Sequence, residues 1–156
     1  MNKENHIEKV LWSIAFPGFG QILNGKFLKG IVFISLEILI NVKSGLNVAI
    51  ILSFNGNTEM AVKQTNYQWL MFYPCIYIFA IWDAYRDSIR YRVPYAFLPF
   101  VFSAYVGTIG VIYSPVFKIR NVLFGPIWLP IACLFLGALI GKYIRYLVIT
   151  YTCKDR

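Results

Sequence analysis

From Val122 to Gly141 the chain runs twenty residues without a charged side chain. A helix of that length rises about 30 Å, the thickness of a bilayer's hydrocarbon core. Lys142 and Arg145 follow at once, as side chains that snorkel back to an interface do. Segments 27–44, 67–87 and 93–117 are also dominated by apolar and aromatic residues and are bounded by charged or glycine-containing stretches. Hydrophobic residues make up 58% of the 156-residue chain and charged ones 14%. Soluble chains carry about 25% charge, and a domain this small has too little interior for so much apolar surface, so much of it faces lipid. The expectation is one all-α domain: a polytopic helical membrane protein of about four spanning helices, preceded by a short N-terminal helix with a Pro/Gly bend.

The segments then follow in order. Residues 1–26 hold the N-terminal tail, the short helix and the bend, and 27–44 form the first span. Residues 46–66 form an interfacial segment and outer loop, because the apolar stretch Leu46–Phe54 rises only about 14 Å as a helix. A short helix is expected near Thr58–Lys63. Spans follow at 67–87, kinked at Pro74, at 93–117, and at 122–146 with Pro126 and Pro130 in its first turns. A basic tail, 147–156, ends the chain. The N-terminal MNKENHIEK carries acids as well as lysines and leads into an apolar run soon broken by Pro17, so it reads as a retained N-terminus rather than a signal peptide.

The net charge of +8 points away from nucleic acid, because the basic residues sit in clusters between apolar runs rather than along one face. They also orient the chain. Lys3, Lys9, Lys26, Lys29, Arg86, Arg90, Arg92, Lys142, Arg145, Lys154 and Arg156 fall on one side if the first apolar run does not cross; Lys43, Lys63, Lys118 and Arg120 fall on the other. The positive-inside rule makes the first side, and the C-terminus, cytoplasmic. If the first run crosses, Lys3 and Lys9 change sides and the imbalance shrinks.

The stretch FPGFGQILNGKFLKG, Phe16 to Gly30, breaks the apolar pattern early. Pro17 removes an amide hydrogen, while Gly18 and Gly20 permit positive φ and close helix approach. Broken backbone at membrane depth survives only where protein or a wet cavity covers it, so a bend packed against other helices is expected. Gln21 and Asn24 are placed to bind carbonyls freed at the bend, Gly25 lies in the turn, and Gly30 opens the next helix. The pattern Pro17-Gly18-x-Gly20-Gln21, Asn24-Gly25-Lys26 and Lys29-Gly30 resembles the P-G-x-G-Q-x-Y-x-G hairpin of small bacterial membrane proteins, similar to that of the TM2-domain family. The resemblance covers residues 12–42 and implies a helical hairpin. Leu23 stands where an aromatic is usual, and no Asp-Arg-Phe-like turn joins the helices, so no signalling role is carried over.

Three further groups are candidates. Glu37 is a carboxylate deep in ISLEILIN, with Asn41 and Ser44 on the same helix face. Such a residue is a proton or cation site, or else interhelical glue. Asp83, Arg86, Asp87 and Arg90 pair at spacings of three, as a solvated face or a cytoplasmic docking site. Gly137 and Gly141 form a GxxxG, with Cys133 on the same face, that suits close packing within the chain or with another protein. Cys75 and Cys133 read as small hydrophobes, and Cys153 lies where acylation is feasible. His6 is the single histidine, so metal–histidine clusters and Ser–His–Asp arrangements cannot form, and no cofactor or metal is expected.

The expected function is that of a non-catalytic integral membrane protein of the bacterial cytoplasmic membrane, a setting suggested by the Lys, Asn and Ile bias. It acts through helix packing with lipid or with a membrane-protein partner, or as a homo-oligomer. The alternatives are a small transporter or channel subunit using Glu37 and, more weakly, a membrane-bound enzyme using Asp83 and Asp87.

Overall fold

An apolar chain satisfies its backbone polar groups most economically within helices, and among the described residues this one is all-α apart from a hairpin of two two-residue strands. The computed structural model describes residues 3–89, 91 and 93–154. Its helices are α1 (Lys3–Ala15), α2 (Phe19–Leu23), α3 (Phe27–Ser44), α4 (Leu46–Phe54), α5 (Thr58–Gln64), α6 (Tyr67–Leu70), α7 (Tyr73–Ser88), α8 (Leu98–Tyr113) and α9 (Gly125–Lys154). Strands β1 (Lys118–Ile119) and β2 (Val122–Leu123) pair antiparallel between α8 and α9.

Contacts fix the direction of each long helix. Lys29, Phe33 and Glu37 of α3 meet Asp83, Phe79 and Tyr73 of α7, so the two run antiparallel. Cys75 and Trp82 of α7 meet Thr108 and Phe100 of α8, which reverses the direction again. Gly107 and Gly110 of α8 face Leu134 and Cys133 of α9, while Gly137 and Gly141 face Phe102 and Leu98. The bundle therefore has two ends. Lys29, Asp83 and Arg145, whose Nε donates to the Pro94 carbonyl at 3.1 Å, gather at one. Ser44, α5 and the β-hairpin gather at the other, where Leu46, Ala49, Ala61, Leu70, Val111 and Ile127 form a small apolar core.

Gly45, with φ 70°, ends α3 and starts α4 at a 64° bend, and α4 and α5 fill the expected interfacial segment. Three span boundaries are corrected. Residues 67–87 are not one kinked helix: α6 stops at Leu70, and Pro74 sits in the first turn of α7, where its missing N–H costs nothing. Segment 93–117 is helical only over α8, because Tyr95 takes a positive φ of 53° and Pro99 occupies the helix's first turn. Val122 and Leu123 belong to the hairpin, and α9 starts at Gly125 and runs on through most of the expected tail. Pro126 and Pro130 lie in the first two turns of α9, as expected, with Pro130 inside the helix.

Helix α9 is long and apolar enough to cross a membrane, and α3 with α4 passes the same test as a bent pair. Large apolar side chains point outward around the bundle, among them Leu28 at 78% exposure, Val42 at 73% and Phe135 at 70%. Soluble monomers rarely leave such surface continuous.

The α8–α9 seam brings two helix backbones into direct contact. A Cβ on Gly137 would lie 2.3 Å from the Phe102 carbonyl oxygen, and one on Gly141 would lie 2.5 Å from that of Leu98. The GxxxG face is thus spent within the chain. Gly137→Leu should lower the melting temperature in detergent by an amount equivalent to about 2 kcal/mol or more. Ala132→Leu, on the exposed side of the same helix, should leave it unchanged.

Candidate binding cavity

The N-terminal segment folds back on itself beside α7. Near the start of α1, His6 Nδ1 hydrogen-bonds Ser88 Oγ, and the His6 ring packs 5.3 Å from that of Tyr85. Near its end, the Ile14 carbonyl accepts from Tyr77 at 2.6 Å. The chain then turns at Pro17 and Gly18, which has φ 107°. It returns through α2, where Gln21 Nε2 donates to the Ala80 carbonyl at 2.7 Å and Asn24 Nδ2 to that of Ala84 at 2.9 Å. Both legs of this hairpin therefore end beside the C-terminal half of α7.

Two readings of the bend are corrected. Gln21 and Asn24 bind carbonyls of α7 rather than those freed at the bend. Gly20 is helical, and its lack of a side chain serves proximity: a Cβ there would lie 2.0 Å from Ser13 Oγ and 2.4 Å from the Lys9 carbonyl. Positive φ falls at Gly18, as expected, and at Gly25. Gly18 and Gly30 meet backbone to backbone, since a Cβ on Gly18 would lie 2.5 Å from the Gly30 carbonyl.

Lys29, which the sequence reads only as an interfacial charge, completes the polar cluster. Its Nζ lies 2.8 Å from Asp83 Oδ1 and 3.1 Å from Asp87 Oδ2. Arg86 Nη2 reaches the same Asp83 oxygen at 2.8 Å, and its Nε lies 3.7 Å from Asp87. Asp83 does not lie on a solvated face: only 3% of its side chain is exposed, because α2 and the start of α3 cover it. Gln21 Nε2 adds a longer contact at 3.4 Å. Arg90, the fourth candidate of this group, lies outside the described residues.

Between the hairpin's tip and the small apolar core lies a cavity of about 520 Å³. Ile14, Ala15 and Pro17 line it from the hairpin, Leu46 and Ile50 from α4, Tyr73, Tyr77 and Ile78 from α7, Ser103 and Val111 from α8, and Pro126, Pro130 and Leu134 from α9. Glu37 opens onto it from α3, 7% exposed, with Oε1 accepting from the Tyr73 hydroxyl at 3.0 Å. No salt bridge reaches Glu37 among the described residues. The expected polar face of Glu37, Asn41 and Ser44 does not come together. Asn41 donates to Asn47 Oδ1 at 3.1 Å and Ser44 to the Asn41 carbonyl at 3.4 Å, at the α3–α4 bend. Tyr73 and Tyr77 take that place, one helical turn apart, with rings stacked at 5.5 Å. The spacing of the two tyrosines in YPCIYIF was the available signal.

No group of three or more potential metal-ligating side chains occurs among the described residues. Cys75 is exposed and Cys133 packs against Gly110, while the side chain of Cys153 lies outside the described residues. Comparison with known proteins finds no matching family model, curated relative or solved structure.

The cluster's strength is testable by a double-mutant cycle. Lys29→Met and Asp83→Asn should each lower the melting temperature. Their coupling should be about 1–2 kcal/mol, between that of exposed and fully buried pairs, because Lys29 is partly exposed. Additive effects would mean that the pair does not hold α3 to α7.

Proposed function

We propose that this chain is a non-catalytic, multi-pass protein of the bacterial cytoplasmic membrane, with its C-terminus cytoplasmic, that binds a small, mostly apolar membrane component. The cavity carries this reading: it is the size of a ligand site, and apolar side chains from five long or bent helices make up nearly all of its wall. The outward-facing apolar side chains of α3, α8 and α9 support immersion in lipid. The alternation of α3, α7, α8 and α9 supports four crossings, with α6 lengthening α7 and turns lengthening α8. The fold-back of α1 and α2 supports a hairpin that enters and leaves on one side, as its likeness to the TM2-domain hairpin implies.

Charge supports the orientation. Lys26, Lys29, Arg86, Lys142 and Arg145 belong to the same end as the Ser88–Pro94 connection, whose sequence also carries Arg90 and Arg92. Lys43, Lys63, Lys118 and Arg120 belong to the other. A second reading, a transporter or channel using Glu37, draws on the burial of that carboxylate at the cavity. It needs a polar route to both ends, whereas the walls beside Glu37 are mostly apolar. The enzyme reading is weakened because Lys29 and Arg86 already occupy Asp83 and Asp87. The GxxxG face gives no support to a homo-oligomer, since α8 covers it.

Two measurements test the proposal. On a cysteine-free background, an impermeant maleimide applied to intact cells should label Lys118→Cys and spare Tyr91→Cys; the reverse pattern overturns the orientation. Native mass spectrometry of the gently extracted protein should find a bound small molecule. Ile131→Trp, which adds bulk at a half-exposed part of the cavity wall, should remove most of it without lowering the melting temperature.

A further inference from the structure

The cavity's polar atoms are almost all acceptors. The Tyr73 hydroxyl spends its one hydrogen on Glu37 Oε1, that of Tyr77 on the Ile14 carbonyl at 2.6 Å, and that of Ser103 on the Leu134 carbonyl at 2.8 Å. Each hydroxyl oxygen keeps lone pairs, and Glu37 in its ionised form only accepts. Pro130, inside α9, offers no N–H to the Pro126 carbonyl, and both prolines line the same space. No lysine or arginine is among the lining residues. An anionic headgroup, phosphate or fatty carboxylate, would find no free hydroxyl hydrogen here and would face ionised Glu37 as a like charge.

We infer that the ligand of this cavity is a lipophilic cation: an apolar body carrying an ammonium whose hydrogens meet Glu37 and the hydroxyl oxygens. The stacked rings of Tyr73 and Tyr77 add aromatic faces beside the carboxylate, a second feature that favours a cation. Tyr73 meets the buried carboxyl with one neutral hydrogen bond, and an ammonium supplies the counter-charge that an ionised Glu37 requires. The inference rests on the cavity being a binding site, and it names the chemistry of the occupant.

The test compares dodecylamine, dodecanol and dodecanoate, which share one apolar chain, by their effect on the melting of purified protein in a neutral detergent. Dodecylamine should stabilise the wild-type protein and bind about tenfold tighter than dodecanol. Dodecanoate should have no effect. Glu37→Gln, which keeps the side chain's size, should erase the preference for the amine while leaving dodecanol binding in place. Equal stabilisation by amine and alcohol in the wild-type protein, lost in Ile131→Trp, overturns the cation and leaves the cavity reading standing. Equal responses of wild type and Ile131→Trp to every probe overturn the cavity reading itself. The wild-type comparison decides the headgroup even if Glu37→Gln fails to fold.

Discussion

Asp83 is a nearly fully covered carboxylate met by donors from three helices: Lys29 of α3 and Arg86 of its own α7, both at 2.8 Å, and Gln21 of α2 at 3.4 Å. Removing a charge from water is expensive unless its lone pairs are met, so the position of all three elements is constrained together. Lys29 and Arg86 keep half of their side chains or nearly so in solvent, which places the ion pairs at the rim of the bundle with the carboxylate turned inward. Glycines make this convergence possible. Gly18, Gly20 and Gly30 let the hairpin approach α1, α3 and α7 at distances no side chain would permit.

The depth of the hairpin follows from that anchor. Between Ser88, beside His6, and Tyr77, beside Ile14, α7 rises about 16 Å. The turn at Pro17 therefore stops at the level where the cavity begins, and its apolar residues become one wall of it. The broken backbone is covered by neighbouring helices, which is the condition for non-helical structure in a low-dielectric interior. One wall of the cavity is thus held by a polar cluster at the bundle's rim.

Much of this architecture could be read from the chain. The short apolar stretch after Gly45 and the Pro17–Gly18 break each have local causes and appear where those causes put them, and the uncharged run before Lys142 is helical from Gly125 on. What could not be read was tertiary. Asp83 looks solvated on its own helix; only Lys29, 54 positions earlier, and the covering α2 make it buried. Glu37 selects Tyr73, 36 positions away, over Asn41 one turn along, because the α3–α4 bend draws Asn41 toward Asn47. Pro74 was legible as an interruption, but whether it kinks or starts a helix depends on the preceding turn, which Asn66 caps through its side chain.

The fold-back also orders the events of synthesis. Gln21, Asn24 and Lys29 emerge about sixty residues before the α7 groups that satisfy them, a separation set by the contacts to Ala80, Ala84 and Asp83. Until α7 is made, the two amides and the ammonium lack the partners they have in the folded chain. The part of the cavity wall that Pro17 forms with Tyr73 and Tyr77 therefore waits on the synthesis of α7.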